Sequence, residues 1–274
     1  MGVFDSGLGG LSVLKALERR LPMENYIYFG DTARAPYGDR SSEEIRRFNL
    51  EIGGWLLDQQ CKMLLIACNT STVLGMETLK ASTDKPVFGM MEAILADALP
   101  GEGPMGFIAT QGTVESGAYQ RAFAAAAPEM AFFPQACPDF VPLVEQGRLD
   151  DPAVDEAVAA YLTPLRDKGI RTLILGCTHY PILAPAIAAF LGAAVRLADP
   201  ADAMARIVAD YMASTGIGND GDGDDGGDGG DGGGSGTARG SRAFYCSGDR
   251  ESFRAKGSAI LGRPLGEIGR QVFP

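Results

Sequence analysis

Two cysteines stand in matching surroundings. Cys68 ends the run Leu64-Leu65-Ile66-Ala67 and precedes Asn69-Thr70, and Cys177 ends Leu173-Ile174-Leu175-Gly176 and precedes Thr178-His179, so the two blocks match position for position. Each is an apolar strand, a small residue, a thiol, then hydrogen-bonding side chains. A free thiol titrates at about 8.5, close enough to neutrality for its surroundings to favour either thiol or thiolate. Two of them facing each other across a substrate can act as base on one side and acid on the other, exchanging roles with reaction direction. The plain alternative is a pair of small buried hydrophobes. The remaining cysteines, Cys61, Cys137 and Cys246, make the count odd, and none of the five is spaced C-x-x-C. That argues against a disulfide framework and against a zinc site, so no metal is expected.

Asp5 and Ser6 end a first apolar run and are followed by Gly7-Leu8-Gly9-Gly10, which opens a helix with Leu11, Leu14 and Leu17 on one face. Gly7, Gly9 and Ser12, with Asp31 further on, approach a dinucleotide fingerprint. Asp5 opposes that reading, because its carboxylate would sit beside the pyrophosphate. His179 is the single histidine, two residues after Cys177. Residues two apart near a strand end are expected to point apart, which disfavours His179 as the base of a Cys-His pair; it can instead supply a proton or charge near a substrate.

The elements that position these groups alternate. Tyr26–Gly30, Met63–Ala67, Val87–Met90, Met105–Ala109, Thr172–Gly176, Val195–Ala198 and Arg242–Ser247 read as strands, the first six of them as buried strands. Ser41 and Glu44 form a capping box ahead of the stripe Ile45, Phe48, Ile52, Trp55; Asp151-Pro152 opens a second helix, and Arg250–Leu261 reads as another. Such alternation predicts α/β architecture, with parallel sheets covered on both faces and ligands bound beyond the carboxyl ends of the strands. A second repeat, Val3-Phe4-Asp5-Ser6 against Phe107-Ile108-Ala109-Thr110, lies at nearly the same separation as the first and suggests two similar halves related by an approximate twofold axis. Both cysteines would then face one cleft.

With 274 residues, 46% of them hydrophobic, the chain can bury a large core. Its net charge is −11, about half of it from Asp220, Asp222, Asp224, Asp225, Asp228 and Asp231. No basic cluster is present to replace the counterions of a polyanion, so no nucleic-acid partner is expected. Residues 216–240 are mostly Gly and Asp with almost no apolar side chain and are expected to form a disordered loop. No apolar run reaches the roughly 18 residues of a membrane span and the N-terminus lacks a secretory layout, so no membrane partner and a cytoplasmic location are expected.

Gly2-Val3-Phe4-Asp5-Ser6-Gly7-Leu8-Gly9-Gly10, Asp31-Thr32-Ala33-Arg34-Ala35-Pro36-Tyr37-Gly38, Ala67-Cys68-Asn69-Thr70-Ser71-Thr72 and Leu175-Gly176-Cys177-Thr178-His179-Tyr180-Pro181 resemble the signature blocks of the bacterial glutamate racemases, within the aspartate/glutamate racemase family. Gly112–Ser116 and Cys137–Glu145 resemble further family segments. Family members carry several residues before the first block, whereas here Met1 adjoins Gly2, so either a shortened first strand or a misassigned start site is expected. The resemblance implies two pseudosymmetric three-layer α/β domains with the active site between them. They are expected at 1–92 plus 200–274 and at 93–199. It implies cofactor-independent interconversion of L- and D-glutamate for peptidoglycan. In that reading Cys68 acts on D-glutamate and Cys177 on L-glutamate, Asp5 assists the first, and Glu145 and His179 assist the second. Ser6, Tyr37, Gly38, Asn69, Thr70, Thr113 and Thr178, with Asp5 and His179, match substrate-binding positions. Hydroxyls, amides and backbone N–H groups suit a ligand with two carboxylates. No lysine occupies a motif loop where a Schiff base would form, so pyridoxal phosphate is not expected. Alternatives are an aspartate or related amino-acid racemase and, of another class, a protein-interaction module of the gyrase-binding type using the acidic stretch. A homodimer remains open.

Overall fold

A computed structural model describes residues 1–101, 103–218 and 239–273. In chain order the first run is β1 (Gly2–Asp5), α1 (Leu11–Arg20), β2 (Tyr26–Gly30), α2 (Ser42–Asp58), β3 (Leu64–Ile66), α3 (Asn69–Lys80), β4 (Val87–Gly89) and α4 (Met90–Ala98). The second is β5 (Met105–Ala109), α5 (Gln111–Glu115), α6 (Ala118–Ala126), β6 (Phe132–Ala136), α7 (Phe140–Glu145), α8 (Pro152–Asp167), β7 (Thr172–Leu175), α9 (Ala184–Leu191) and β8 (Arg196–Ala198). The chain closes with α10 (Ala201–Thr215), β9 (Arg242–Cys246), α11 (Arg250–Leu261) and β10 (Ile268–Arg270). Most of the Gly/Asp stretch, residues 219–238, lies outside the described residues, and the expectation of a disordered loop lies there with it.

Strands form two sheets, ordered β10-β9-β2-β1-β3-β4 and β6-β5-β7-β8, with every pairing parallel. Each is the middle layer of three, because alternate strand residues feed different cores. Val3, Tyr28 and Leu65 pack with α1, α10 and α11, whereas Phe4, Phe29 and Ile66 face α2 and α3. In the smaller sheet Ile108, Leu173 and Leu175 meet α7, α8 and α9, and Phe107 and Ile174 meet α4 and α6. Helix α4 straddles the halves: Met90 and Ala93 belong to one core, Ile94 and Ala98 to the other. No helix among the described residues is long and apolar enough to cross a membrane.

The sequence repeat is also a register repeat. Val3 pairs with Leu65 and Phe4 with Ile66, while Phe107 pairs with Ile174 and Ile108 with Leu175, so the repeated blocks meet in the same register in both sheets. Packing follows. A Cβ on Gly2 would lie 3.0–3.1 Å from Leu64, Cys61 and Leu56, and one on Gly106 would lie 2.9–3.2 Å from Leu173, Ile170 and Leu165, which are the same three positions in the second copy. The four residues of β1 all pair with β2, so a short first strand loses no register.

Two strands escape the sequence reading. β6 contains Pro134, which removes a ladder donor; the strand is tolerated because it lies at a sheet edge. β10 is three residues long and equally peripheral. Several expected strands are a residue or two shorter than read: Met63 and Val195 fall away at the amino ends, Ala67, Gly176 and Ser247 at the carboxyl ends, and Met90 opens α4.

Candidate active site

The site is assembled at the carboxyl ends of β1, β3, β5 and β7. Cys68 follows β3 and is the N-cap of α3, its Sγ accepting a hydrogen bond from Ser71 N at 3.5 Å. A sulfur at this place meets an unsatisfied backbone donor and the positive end of a helix, both of which favour negative charge on it. Burial outweighs them. Desolvation, and then the nearby Asp5 carboxyl, push the Cys68 thiol up to about 12. Asp5 ends β1, fully buried; Gly7 N donates to its Oδ1 at 2.9 Å, and desolvation raises its pKa above the usual carboxylate range.

Cys177 lies two residues beyond the end of β7, with its Sγ 3.8 Å from His179 Nδ1. His179 Nε2 is 2.6 Å from Glu145 Oε1, at the end of α7. The expectation that Cys177 and His179 point apart is therefore corrected. The strand stops at Leu175, and in the turn that follows period-two alternation no longer applies. Burial works against charge on His179, but the hydrogen bonds to Cys177 and Glu145, together with the charge of Asp5, hold its pKa well above the ordinary imidazole value. Glu145 is opposed by desolvation too, and its bond to His179 nevertheless holds it low. The result is a partly buried imidazolium–carboxylate pair beside one of the two thiols.

Contacts between the halves close the cleft. Thr178 Oγ1 donates to Asp5 Oδ2 at 3.1 Å, Gly112 N to Gly38 O at 3.0 Å, and Lys256 Nζ to Glu145 O at 2.5 Å. The Thr70 hydroxyl lies 2.9 Å from that of Thr110 and 3.1 Å from that of Thr113; Tyr119 OH donates to Asn69 Oδ1 at 2.5 Å. The cavity between them is about 20 Å³, lined by both cysteines together with Ser6, Tyr37, Gly38, Asn69, Thr70, Glu145, Thr178 and His179. Asp5 and Thr113 stand behind this wall, fully buried and bonded to it. The structure thus brings the residues expected to catalyse or to bind substrate to one place, in the cavity wall or directly behind it. Among the described residues, no lysine or arginine lines the cavity.

Thr110 also lines it and was not among the expected binding residues. The repeat contained the signal, because Thr110 occupies in the second half the place of Ser6 in the first. A much larger cavity, about 780 Å³, is lined by Arg171, Arg196, Arg206 and residues around 97–103 near the opposite end of the small sheet. Among the described residues it has neither cysteine nor histidine in its wall, and chemistry rather than size selects the cleft.

A family model for Asp/Glu/hydantoin racemases matches residues 6–208, which contain both strand-end cysteines. The chain belongs to this family. Among its members it is 39% identical over 270 residues to the glutamate racemase of Geobacter metallireducens, covering 98% of this chain and 94% of that one. Crystal structures of family members superpose on it. The glutamate racemase of Thermus thermophilus in complex with β-chloro-D-alanine aligns with a TM-score of 0.82 at 41% identity, covering 99% and 96% of the two chains. That of Francisella tularensis in complex with D-glutamate aligns at 0.87 and 31% identity, covering 100% and 96%.

Proposed function

We propose that the chain is a glutamate racemase that moves the α-proton between two thiols without a cofactor. One observation carries the reading: Cys68 and Cys177 stand at register-equivalent strand ends and line one cavity. In the D to L direction Cys68 as thiolate takes the α-proton and Cys177 as thiol delivers one to the opposite face; the L to D direction exchanges the roles. Asp5 assists Cys68. The His179–Glu145 pair assists Cys177, its imidazolium serving as counter-charge to whatever negative charge develops on that sulfur. Ser6, Tyr37, Gly38, Asn69, Thr70 and Thr178 hold the ligand by hydroxyl, amide and backbone donors, which suit two carboxylates, and Thr113, behind the wall, supports the Thr70 hydroxyl. A division into domains 1–92 plus 200–274 and 93–199, a cytoplasmic location and use of D-glutamate in peptidoglycan go with this reading.

Circular dichroism with glutamate and aspartate separates the two substrates. In heavy water, starting from D-glutamate, newly formed L-glutamate is expected to carry solvent deuterium from its first appearance while the remaining D-glutamate stays largely protonated. Cys68→Ser and Cys177→Ser are each expected to lower racemisation about a thousandfold or more, because a hydroxyl is a far weaker acid than a thiol. Near wild-type turnover in Cys177→Ser would make that thiol structural and end the two-thiol reading.

A further inference from the structure

Asp31 follows β2, is fully buried and does not line the cavity. Its carboxylate accepts from three donors: the Tyr37 hydroxyl, Arg34 Nε at 2.6 Å and Ser247 Oγ at 2.7 Å. Arg34 in turn pairs with Glu51 and lies 3.9 Å from the centre of the Phe48 ring. Ser247, directly after β9, also accepts from Ala33 N at 2.9 Å, and Gly248 N donates to Thr32 Oγ1 at 3.1 Å. Residues 31–37 are thereby clamped at one end to the segment after β9. At the other end Tyr37 lies in the cavity wall, packed with Ile45, Phe48 and Cys68. A buried carboxylate is costly unless its donors are fixed, and a satisfied buried network of this kind holds its members in one arrangement.

We propose that Asp31 is a positioning residue: it fixes the Tyr37 ring beside the Cys68 thiol and, through Ser247, makes the β9–α11 connection part of this wall of the cleft. The inference rests on the racemase reading for its kinetic consequence, but its structural consequence does not. Releasing Tyr37 should uncover Cys68 and leave Cys177, on the other half, unaffected.

The test uses the full chain with Asp31→Asn, Tyr37→Phe, the double variant and Ser247→Ala. Asp31→Asn is expected to raise KM for glutamate about tenfold with less than about a threefold change in kcat, and to add less than about twofold in the Tyr37→Phe background, because both act through one interaction. Iodoacetamide, followed by peptide mass spectrometry, should alkylate Cys68 about tenfold faster in Asp31→Asn while Cys177 keeps its wild-type rate. Multiplying effects in the double variant, an unchanged Cys68 rate, or equal acceleration at both cysteines overturns the proposal. If Asp31→Asn does not fold, Ser247→Ala decides: about threefold faster alkylation selective for Cys68 supports it, and an unchanged rate overturns it. A wild-type chain that fails to racemise glutamate ends the functional reading, whereas the alkylation rates still judge Asp31.

Discussion

With a carboxylate 2.6 Å from one ring nitrogen and a thiol 3.8 Å from the other, His179 links Glu145 to Cys177. Because its pKa is raised on folding, the folded chain holds that proton more tightly than the unfolded one. The stabilisation is complete below the ordinary imidazole value and is lost as pH rises through the folded-state pKa. Glu145, held low, contributes in the opposite sense, and its share is lost as pH falls through its folded-state pKa. The pair therefore stabilises most between those two limits. Glu145→Gln should lower the thermal midpoint most within that window, and the gap from wild type should close at acid pH. The same change removes a hydrogen bond that raises the His179 pKa, so the alkaline limb of the kcat/KM profile should move to lower pH. An unmoved limb would show that His179 does not control it.

At the scale of single elements, the start of α1 is fitted to the opposite half. A Cβ on Gly9 would collide with Thr178 Oγ1 and lie 2.8 Å from both His179 Nδ1 and the Thr178 carbonyl carbon. That carbon belongs to the backbone and cannot rotate away. Gly9→Ala should therefore displace the loop that carries Thr178 and His179, lowering kcat/KM about a hundredfold, because a shift of about 1 Å in a catalytic group costs on that order. Its cost in stability is about 1–3 kcal/mol, as for other overpacked sites. Calorimetry beside kinetics separates the two. Helix α2 makes a contrasting case. Its capping box pairs Ser41 and Glu44 at the surface, away from the cavity. Ser41→Ala should cost about 1 kcal/mol by denaturant titration and leave KM unchanged.

For the molecule as a whole, the cavity of about 20 Å³ has room for about one water molecule and none for glutamate. Entry of glutamate would need the halves to part and the hydrogen bonds that cross the cleft to break. The amide of Gly112 is bonded across the cleft to Gly38 O, whereas that of Gly176 is bonded within one half to Ile108 O. Gly112 should exchange its hydrogen much faster than Gly176, through opening below the cost of global unfolding, and bound glutamate should slow it. Equal protection of the two amides would mean that the halves do not part independently. Because the equilibrium constant for interconverting enantiomers is unity, any variant that shifts this opening must change kcat/KM equally in both directions.

Much of this was legible without coordinates. Apolar runs ending in small residues and thiols specified the strands and their outward ends, because a parallel strand buried on both faces must be apolar throughout and its reactive groups can only follow it. The matched blocks around the two cysteines specified the repeat, and the register reproduces it since equivalent side chains fill the same gaps around Gly2 and Gly106. Local chemistry also sufficed for the Ser41 and Asp151 caps. Pattern alone could not show β6, whose Pro134 argues against a strand until its edge position is known. Nor could it bring Asp31 to the distant Ser247, set His179 between Glu145 and Cys177, or reveal how little space the closed cleft leaves. Those depend on which turn each strand end makes and on how two halves meet, and contacts so distant in sequence leave no periodic trace along the chain.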